Sequence, residues 1–500
     1  MIFSKKLAVL AFAAALSAPG SGAAAPAPKY SPISVSGFLP TAADWQEHAG
    51  FLEKFWLHPT AFGIPEGKFP TWRCNDGSLI TPEHFVCPDE GPQNSNARMP
   101  DILKLDFVRM ISRQTFAYGA LFNLTGNPEC LRLHQAGVRY LLEYARDPAG
   151  VFYTTIDSAG HGTPKAAQRN AQDLAYALVG LAMNAYLTHD PRVISTIVRT
   201  ERYIFANYYD RENHLMKWVL EDSDSDKTDQ KELVAVLDQL NAYMLLVWTL
   251  VPESEMKDFS ADIAAALKSM NRYYLHEDGL SFRGCLDRPE CSGANARHSD
   301  YGHTVKGFTM ELLAASRLGD RHIREQAVRG MLSTVNRAAT PDGREWYENP
   351  RNSGASWWVY AELDQAALTL NLEGKYEIQD QLRLWLGKYT DRKYGEVRFG
   401  RKQHLWRNGM HSSEHALWGY IMSQGIRERK CLQERQCSRT EAATKDLKTV
   451  LYFSESANPA RVYPYQFSGD IAATEKLPGG IIRVSFKNIR LPDRLENSES

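Results

Sequence analysis

The chain has 500 residues, 43% hydrophobic and 23% charged, with a formal net charge of −1. Such a balance excludes the broad basic surface that nucleic acid or an anionic membrane would require, so neither is expected as a partner. The length leaves room for two ordinary domains, yet no Ser/Gly/Pro-rich linker follows the N-terminal Ala/Pro run.

The first element is a leader. Lys5-Lys6 precede an apolar run from Leu7 to Leu16, and Ala23-Ala24-Ala25 offers a small-residue processing region. Residues 1–25 are therefore expected to be a signal peptide, and the protein periplasmic or secreted. Loss of the two leader lysines shifts the net charge to about −3. No later stretch reads as long and apolar enough to span a membrane.

Helical periodicity then predicts helices near 42–57, 101–126, 128–146, 167–187, 191–209, 229–250, 254–275, 301–317, 320–337, 355–372, 374–390 and 411–426. A further helix is expected near 438–450. Gly126-Asn127-Pro128, His189-Asp190-Pro191, Leu318-Gly319-Asp320 and Leu372-Glu373-Gly374 read as short turns within helical hairpins. Their recurrence, with hairpins spaced roughly 55–65 residues apart, is a weak internal repeat. About six hairpins suit a closed double ring, so the expected fold is an all-α (α/α)6 barrel over 40–430. The expected inner helices carry Arg113, Asp173, Asp238, His303, Trp357 and His411. Residues 451–500 read differently: Val462-Tyr463-Pro464-Tyr465 and Ile481-Ile482-Arg483-Val484-Ser485-Phe486 look like strands of a small β-rich C-terminal appendage. The segment 59–98, rich in Pro, Gly and Asn, is long for a loop, as binding loops and lids often are.

Seven cysteines form three close pairs and one remainder. Cys74 with Cys87, Cys285 with Cys291, and Cys431 with Cys437 are the expected local disulfides of an exported protein, and Cys130 an apolar buried residue. None of the pairs has the Cys-x-x-Cys spacing of a zinc site.

Two histidines carry the chemistry. His303 stands in Ser299-Asp300-Tyr301-Gly302-His303, and His411 in Asn408-Gly409-Met410-His411. Histidine changes its protonation near neutral pH. Two imidazoles at one pocket would take a proton from one face of a carbon and return it to the other. Trp357-Trp358 offer flat surface for a sugar ring, although adjacent helical residues cannot both point one way. Arg113 would steady a developing oxyanion.

These residues resemble the N-acylglucosamine 2-epimerase superfamily, which includes cellobiose 2-epimerases and mannose isomerases. Phe55-Trp56, Arg113-Gln114, Gln172-Asp173-Leu174-Ala175-Tyr176, Tyr301-Gly302-His303, Trp357-Trp358 with Glu362, and Met410-His411 follow the family pattern in order. The resemblance runs from about Trp45 to Gln424. It implies His303, His411 and Arg113 as catalytic residues, and Trp357, Trp358, Glu362, Tyr176 and Asp238 at the sugar. Two departures bear on the substrate. The sixth helix has Asp238 and Asn241 where the family has His and Glu, and Glu414 replaces an Arg in the twelfth.

The expected function is an exported sugar epimerase or isomerase, acting on a small-molecule reducing sugar through an enediolate. It needs no cofactor and no metal. Alternatives are a polysaccharide lyase or glycosidase on a helical barrel, or a carbohydrate-binding protein without catalysis. His411-Ser412-Ser413-Glu414-His415 also matches the His-x-x-Glu-His pattern of zinc peptidases.

Overall fold

The computed structural model describes residues 39–495 except 84–86, 88–98, 164–167, 221–227, 293–295, 379 and 433–446. The expected leader lies outside the described residues.

Twelve helical elements make up the barrel among the described residues. They are α1 (Ala42–Trp56), α2 (Val108–Thr125), α3 (Pro128–Tyr144), α4 (Ala171–Thr188), α5 (Pro191–Asn207) and α6 (Leu233–Gln239, continued to Val247). After them come α7 (Glu253–Ser269), α8 (Tyr301–Leu318), α9 (Arg321–Ala338), α10 (Trp357–Leu372), α11 (Gln381–Leu384, continued to Tyr389) and α12 (Met410–Leu432). The even-numbered helices close a ring, α2 on α4, α4 on α6, α6 on α8, α8 on α10, α10 on α12 and α12 on α2. This is the expected (α/α)6 barrel.

The sequence explains the layering. Inner helices are apolar or small on every side, as along Leu174, Leu178, Leu181 and Ala182, because they are covered all round. Outer α3 and α5 show one buried stripe, as with Val193, Ile194, Ile197, Val198, Ile204 and Phe205. Hairpin turns work by punctuation. Gly126 ends α2 in the left-handed region, φ 74°, while Asn127 caps α3 and Pro128 opens it.

Short antiparallel ladders fix the starts of two inner helices. β1 (Leu105–Phe107) pairs with β2 (Thr155–Asp157) ahead of α2. β3 (Tyr209–Asp210) pairs with β4 (Leu215–Met216), and β5 (Lys231–Glu232) ahead of α6 pairs with β6 (Cys285–Leu286). The C-terminal sheet has order β7-β9-β8, from β7 (Thr449–Ser454), β8 (Ser468–Leu477) and β9 (Ile481–Arg490). β7 packs on α2, α4 and α12 and covers the C-terminal ends of the inner helices.

Several expectations need correction. The helix expected from 101 is interrupted: Met99–Ile102 is a single helical turn, and the long helix begins at Val108 because Leu105–Phe107 is drawn into β1. The helix expected over 374–390 begins at Gln381, since Gly374 at φ 69° ends the preceding turn. Of the helix expected at 438–450, residues 438–446 lie outside the described residues, and Thr449 already belongs to β7, whose residues alternate between buried and half-buried. Val462–Tyr465 is not a strand: Pro464 lacks an N–H and Tyr465 sits at φ 55°. The membrane reading also missed a stretch. Leu233–Leu250 is apolar enough to cross a membrane by length and composition, but it is 94% buried as an inner helix of the barrel.

Cys74–Cys87 and Cys285–Cys291 are disulfides, with Cα separations of 5.4 and 5.1 Å, and Cys130 is a buried free thiol. Cys437, of the third expected pair, lies outside the described residues.

Candidate active site

The N-terminal ends of the inner helices converge on one side of the barrel and bring the singled-out residues together. Asp300 caps α8. One of its oxygens accepts from the His303 backbone N–H at 2.8 Å, and the other meets His303 Nδ1 at 2.7 Å. The cap that starts the helix thus also orients the imidazole and leaves Nε2 outward. Burial opposes the Asp300 charge, but His303 holds its carboxyl below the usual range.

Trp358 links the two histidines. Its ring lies 4.6 Å from His303 and 6.2 Å from His411, centre to centre. Gly302 permits this, since a Cβ there would lie 2.8 Å from the indole. The Tyr-Gly pair therefore serves close approach to Trp358. Trp357 points elsewhere, with its ring under the Arg407 guanidinium at 4.7 Å. Of the two adjacent tryptophans only Trp358 lies between the histidines, as helical geometry requires.

His411 is buried at the start of α12. Its Nδ1 lies 3.5 Å from Glu362 Oε1, and neither atom has a hydrogen-bond partner. Burial, then the charges of Arg113 and Lys306, push its pKa well below the ordinary histidine value. A neutral imidazole with no competing donor is fit to accept a proton.

Around it lies a buried network of charges. Lys306 Nζ is 3.3 Å from Asp238 Oδ1 and 3.8 Å from Glu362 Oε1. Burial opposes the ammonium charge, but Tyr176, Asp238, Glu362 and Glu414 hold Lys306 above the usual lysine range. Asp238 accepts from Gln172 at 2.7 Å and from the Tyr176 hydroxyl at 3.2 Å. The Tyr176 ring sits under two guanidiniums, Arg109 at 4.7 Å and Arg113 at 4.9 Å. Arg113 donates to Met410 Sδ and to the Trp406 carbonyl, each at 3.2 Å, and so is pinned to the start of α12. Burial, then Glu362, raises the pKa of Glu414, and its Oε1 accepts from Tyr465 at 2.8 Å.

All eight expected site residues stand in this region, with Trp357 at its edge. Sequence reasoning overlooked Lys306, Arg109, Gln172 and Tyr465. Lys306 carried a signal, a cation one turn after His303 in the first half of a mostly apolar helix. Tyr465 carried none, since its segment is remote in the chain.

The zinc-peptidase pattern does not assemble. His415 is fully buried, with Nε2 2.9 Å from Asp364 Oδ2 and its ring 4.3 Å from Trp385. The donor atoms that do converge belong to Glu362, His411 and Glu414, all within 4.8 Å of one another. Lys306 already supplies positive charge beside Glu362.

Residues 99–264 match the family model described as N-acylglucosamine 2-epimerase (GlcNAc 2-epimerase). No curated protein matches the chain. Among solved structures, the chain is similar to the cellobiose 2-epimerase of Spirochaeta thermophila, with 16% identity, TM-score 0.56, and coverage of 77% of this chain and 98% of that one. The cellobiose 2-epimerase of Bacillus thermoamylovorans gives 14% identity and TM-score 0.56, covering 74% and 97%. A D-mannose isomerase gives 14% and 0.58, covering 76% and 97%. At such identities these likenesses speak for the fold. The family model over residues 99–264, with the ring of twelve helices, identifies the resemblance as one to the N-acylglucosamine 2-epimerase superfamily.

Proposed function

We propose that the protein is a sugar 2-epimerase or aldose–ketose isomerase, exported, and working on the open-chain sugar through an enediolate. The observation that carries this reading is the placement of His303 and His411 on either side of Trp358, at the open ends of two inner helices. The similar structures named as epimerases and an isomerase support it.

One histidine removes the proton beside the carbonyl, and the resulting enediolate spreads negative charge over two oxygens. Arg113 and Lys306 are the cations available to that charge, both buried, so their fields are weakly screened. Delivery of a proton to the opposite face of C2 by the other histidine gives the epimer, and return of the removed proton to C1 gives the ketose. Positioned acid–base groups contribute about 10²–10⁴-fold. The two disulfides fit the oxidising compartment that export implies.

Incubation with mannose, glucose, fructose and cellobiose in heavy water tests the reading. Deuterium should enter at C1 or C2. Absence of exchange, with a polysaccharide shortened instead, would replace this function by a lyase or hydrolase.

A further inference from the structure

The sixth helix lacks the histidine that the resemblance implies, yet a third histidine stands beside His303. The His298 ring lies 4.6 Å from the His303 ring, centre to centre. Its Nδ1 is 3.1 Å from Glu232 Oε2, and Glu232 is 1% exposed, immediately ahead of α6. The other Glu232 oxygen pairs with Arg297 at 3.3 Å and accepts from Gln230. Surrounded by donors, the carboxylate holds the His298 proton on Nδ1 and leaves Nε2 as an acceptor. Burial, then His303, lowers the His298 pKa and favours the neutral base.

Cys285–Cys291 closes the segment ahead of His298, and the β5–β6 ladder sets Glu232 opposite Cys285. Gly284 lets Arg297 and His298 approach it closely, since a Cβ there would lie 1.9 Å from the Arg297 carbonyl oxygen. His298 itself is left-handed, φ 54°, a conformation that costs a non-glycine residue about 1 kcal/mol or more. Its side chain is 24% exposed, so its ring is covered only in part. Packing alone gives no reason for a left-handed histidine held through Nδ1 by Glu232 next to His303.

Aldoses rest as closed hemiacetals, whereas the His303–His411 chemistry needs the open chain; the inference rests on that proposed reading. We propose that His298, held by Glu232, is the base that opens the sugar ring. Its Nε2 takes the proton from the anomeric hydroxyl O1 while the C1–O5 bond breaks and C1=O1 forms. O5 takes a proton from the His303 imidazolium, and His303 is left neutral, ready to remove the proton at C2. The His298 imidazolium then donates a hydrogen bond to O1 as the enediolate charge develops. Closure runs the same transfers in reverse, and no oxidant or reductant enters.

Anomer interconversion of mannose, glucose and cellobiose, followed by polarimetry, tests this alongside deuterium uptake at C2. The wild-type protein should speed mutarotation. His298→Asn, with an unchanged circular dichroism spectrum, should slow it at least about 10²-fold. Glu232→Gln, which keeps the shape and weakens the hold on Nδ1, should slow it less, and it carries the test if His298→Asn does not fold. Exchange at C2 by wild type without faster mutarotation, or wild-type mutarotation by the folded His298→Asn, overturns the ring-opening role and leaves the epimerase or isomerase reading standing. Mutarotation without exchange at C1 or C2 upholds ring opening and removes that reading. Neither activity on any of the three sugars removes both.

Discussion

Tyr465 donates a 2.8 Å hydrogen bond to Glu414, so the C-terminal segment reaches the inner helix that opens with His411. Tyr465 is 1% exposed, left-handed at φ 55°, and wedged beside Trp418 and Phe116. Its backbone N–H donates to the Tyr186 hydroxyl at 2.9 Å. The segment that joins β7 to β8 therefore plugs the barrel from the end opposite the histidines.

Tyr465→Phe should reach both stability and activity. A buried group left without its partner costs about 1–3 kcal/mol. The lost bond is also one of the interactions that hold the Glu414 pKa down, so that pKa should rise further. The acid limb of the pH–rate profile should move to higher pH and the melting temperature should fall. An unmoved profile and melting point would reduce the plug to a cover.

His303→Asn or His411→Asn should each cut deuterium exchange at least about 10²-fold, because each removes a proton-transfer group. Asp300→Asn should cost less, about 10-fold or more, since it only loosens the hold on His303. Arg113→Ala should lower turnover by weakening oxyanion stabilisation. Wild-type exchange by either histidine variant would sink the two-histidine mechanism.

Glu311 offers a pH test away from the chemistry. Burial raises its pKa to about 8, and Asn271, at 2.7 Å, only partly offsets that. The folded-state value lies above the unfolded one, so the folded state keeps its proton where the unfolded chain has lost it. Stability from this group is full below the unfolded value, about 4.5, and falls as pH rises towards about 8. Glu311→Gln should therefore raise the melting temperature more at pH 8 than at pH 5. An equal effect at the two pH values would show that Glu311 ionises freely.

Elemental analysis of the purified protein should find no stoichiometric zinc. The donor atoms that converge are those of Glu362, His411 and Glu414, without His415, so the sequence pattern does not bring two histidine ligands together. Zinc that disappears on His415→Ala would reverse this and revive the peptidase reading.

Mass spectrometry of non-reduced peptides should recover Cys74–Cys87, Cys285–Cys291 and Cys431–Cys437. Free thiols at all six positions in exported material would contradict the compartment as well as the pairing.

The sequence by itself determined the ring of helices, because inner and outer elements differ in a way that composition records. A helix covered on all sides is apolar all round, as Ala177 to Met183 are, and an outer helix such as α5 keeps a stripe. It also singled out His303 and His411, whose helix-start settings are local. The breaks in register escaped it. Leu105–Phe107 carries no local signal against helix, and only the distant Thr155–Asp157 makes it a strand. The partnerships were decided by tertiary structure alone. Trp358 stands between the histidines because α8, α10 and α12 are neighbours in the ring, and Tyr465 meets Glu414 because the C-terminal sheet caps the barrel. Glu232 and His298 are 66 residues apart, and a ladder and a disulfide bring them together. Periodicity reports how much of a helix is covered. It carries no information about which distant residue covers it.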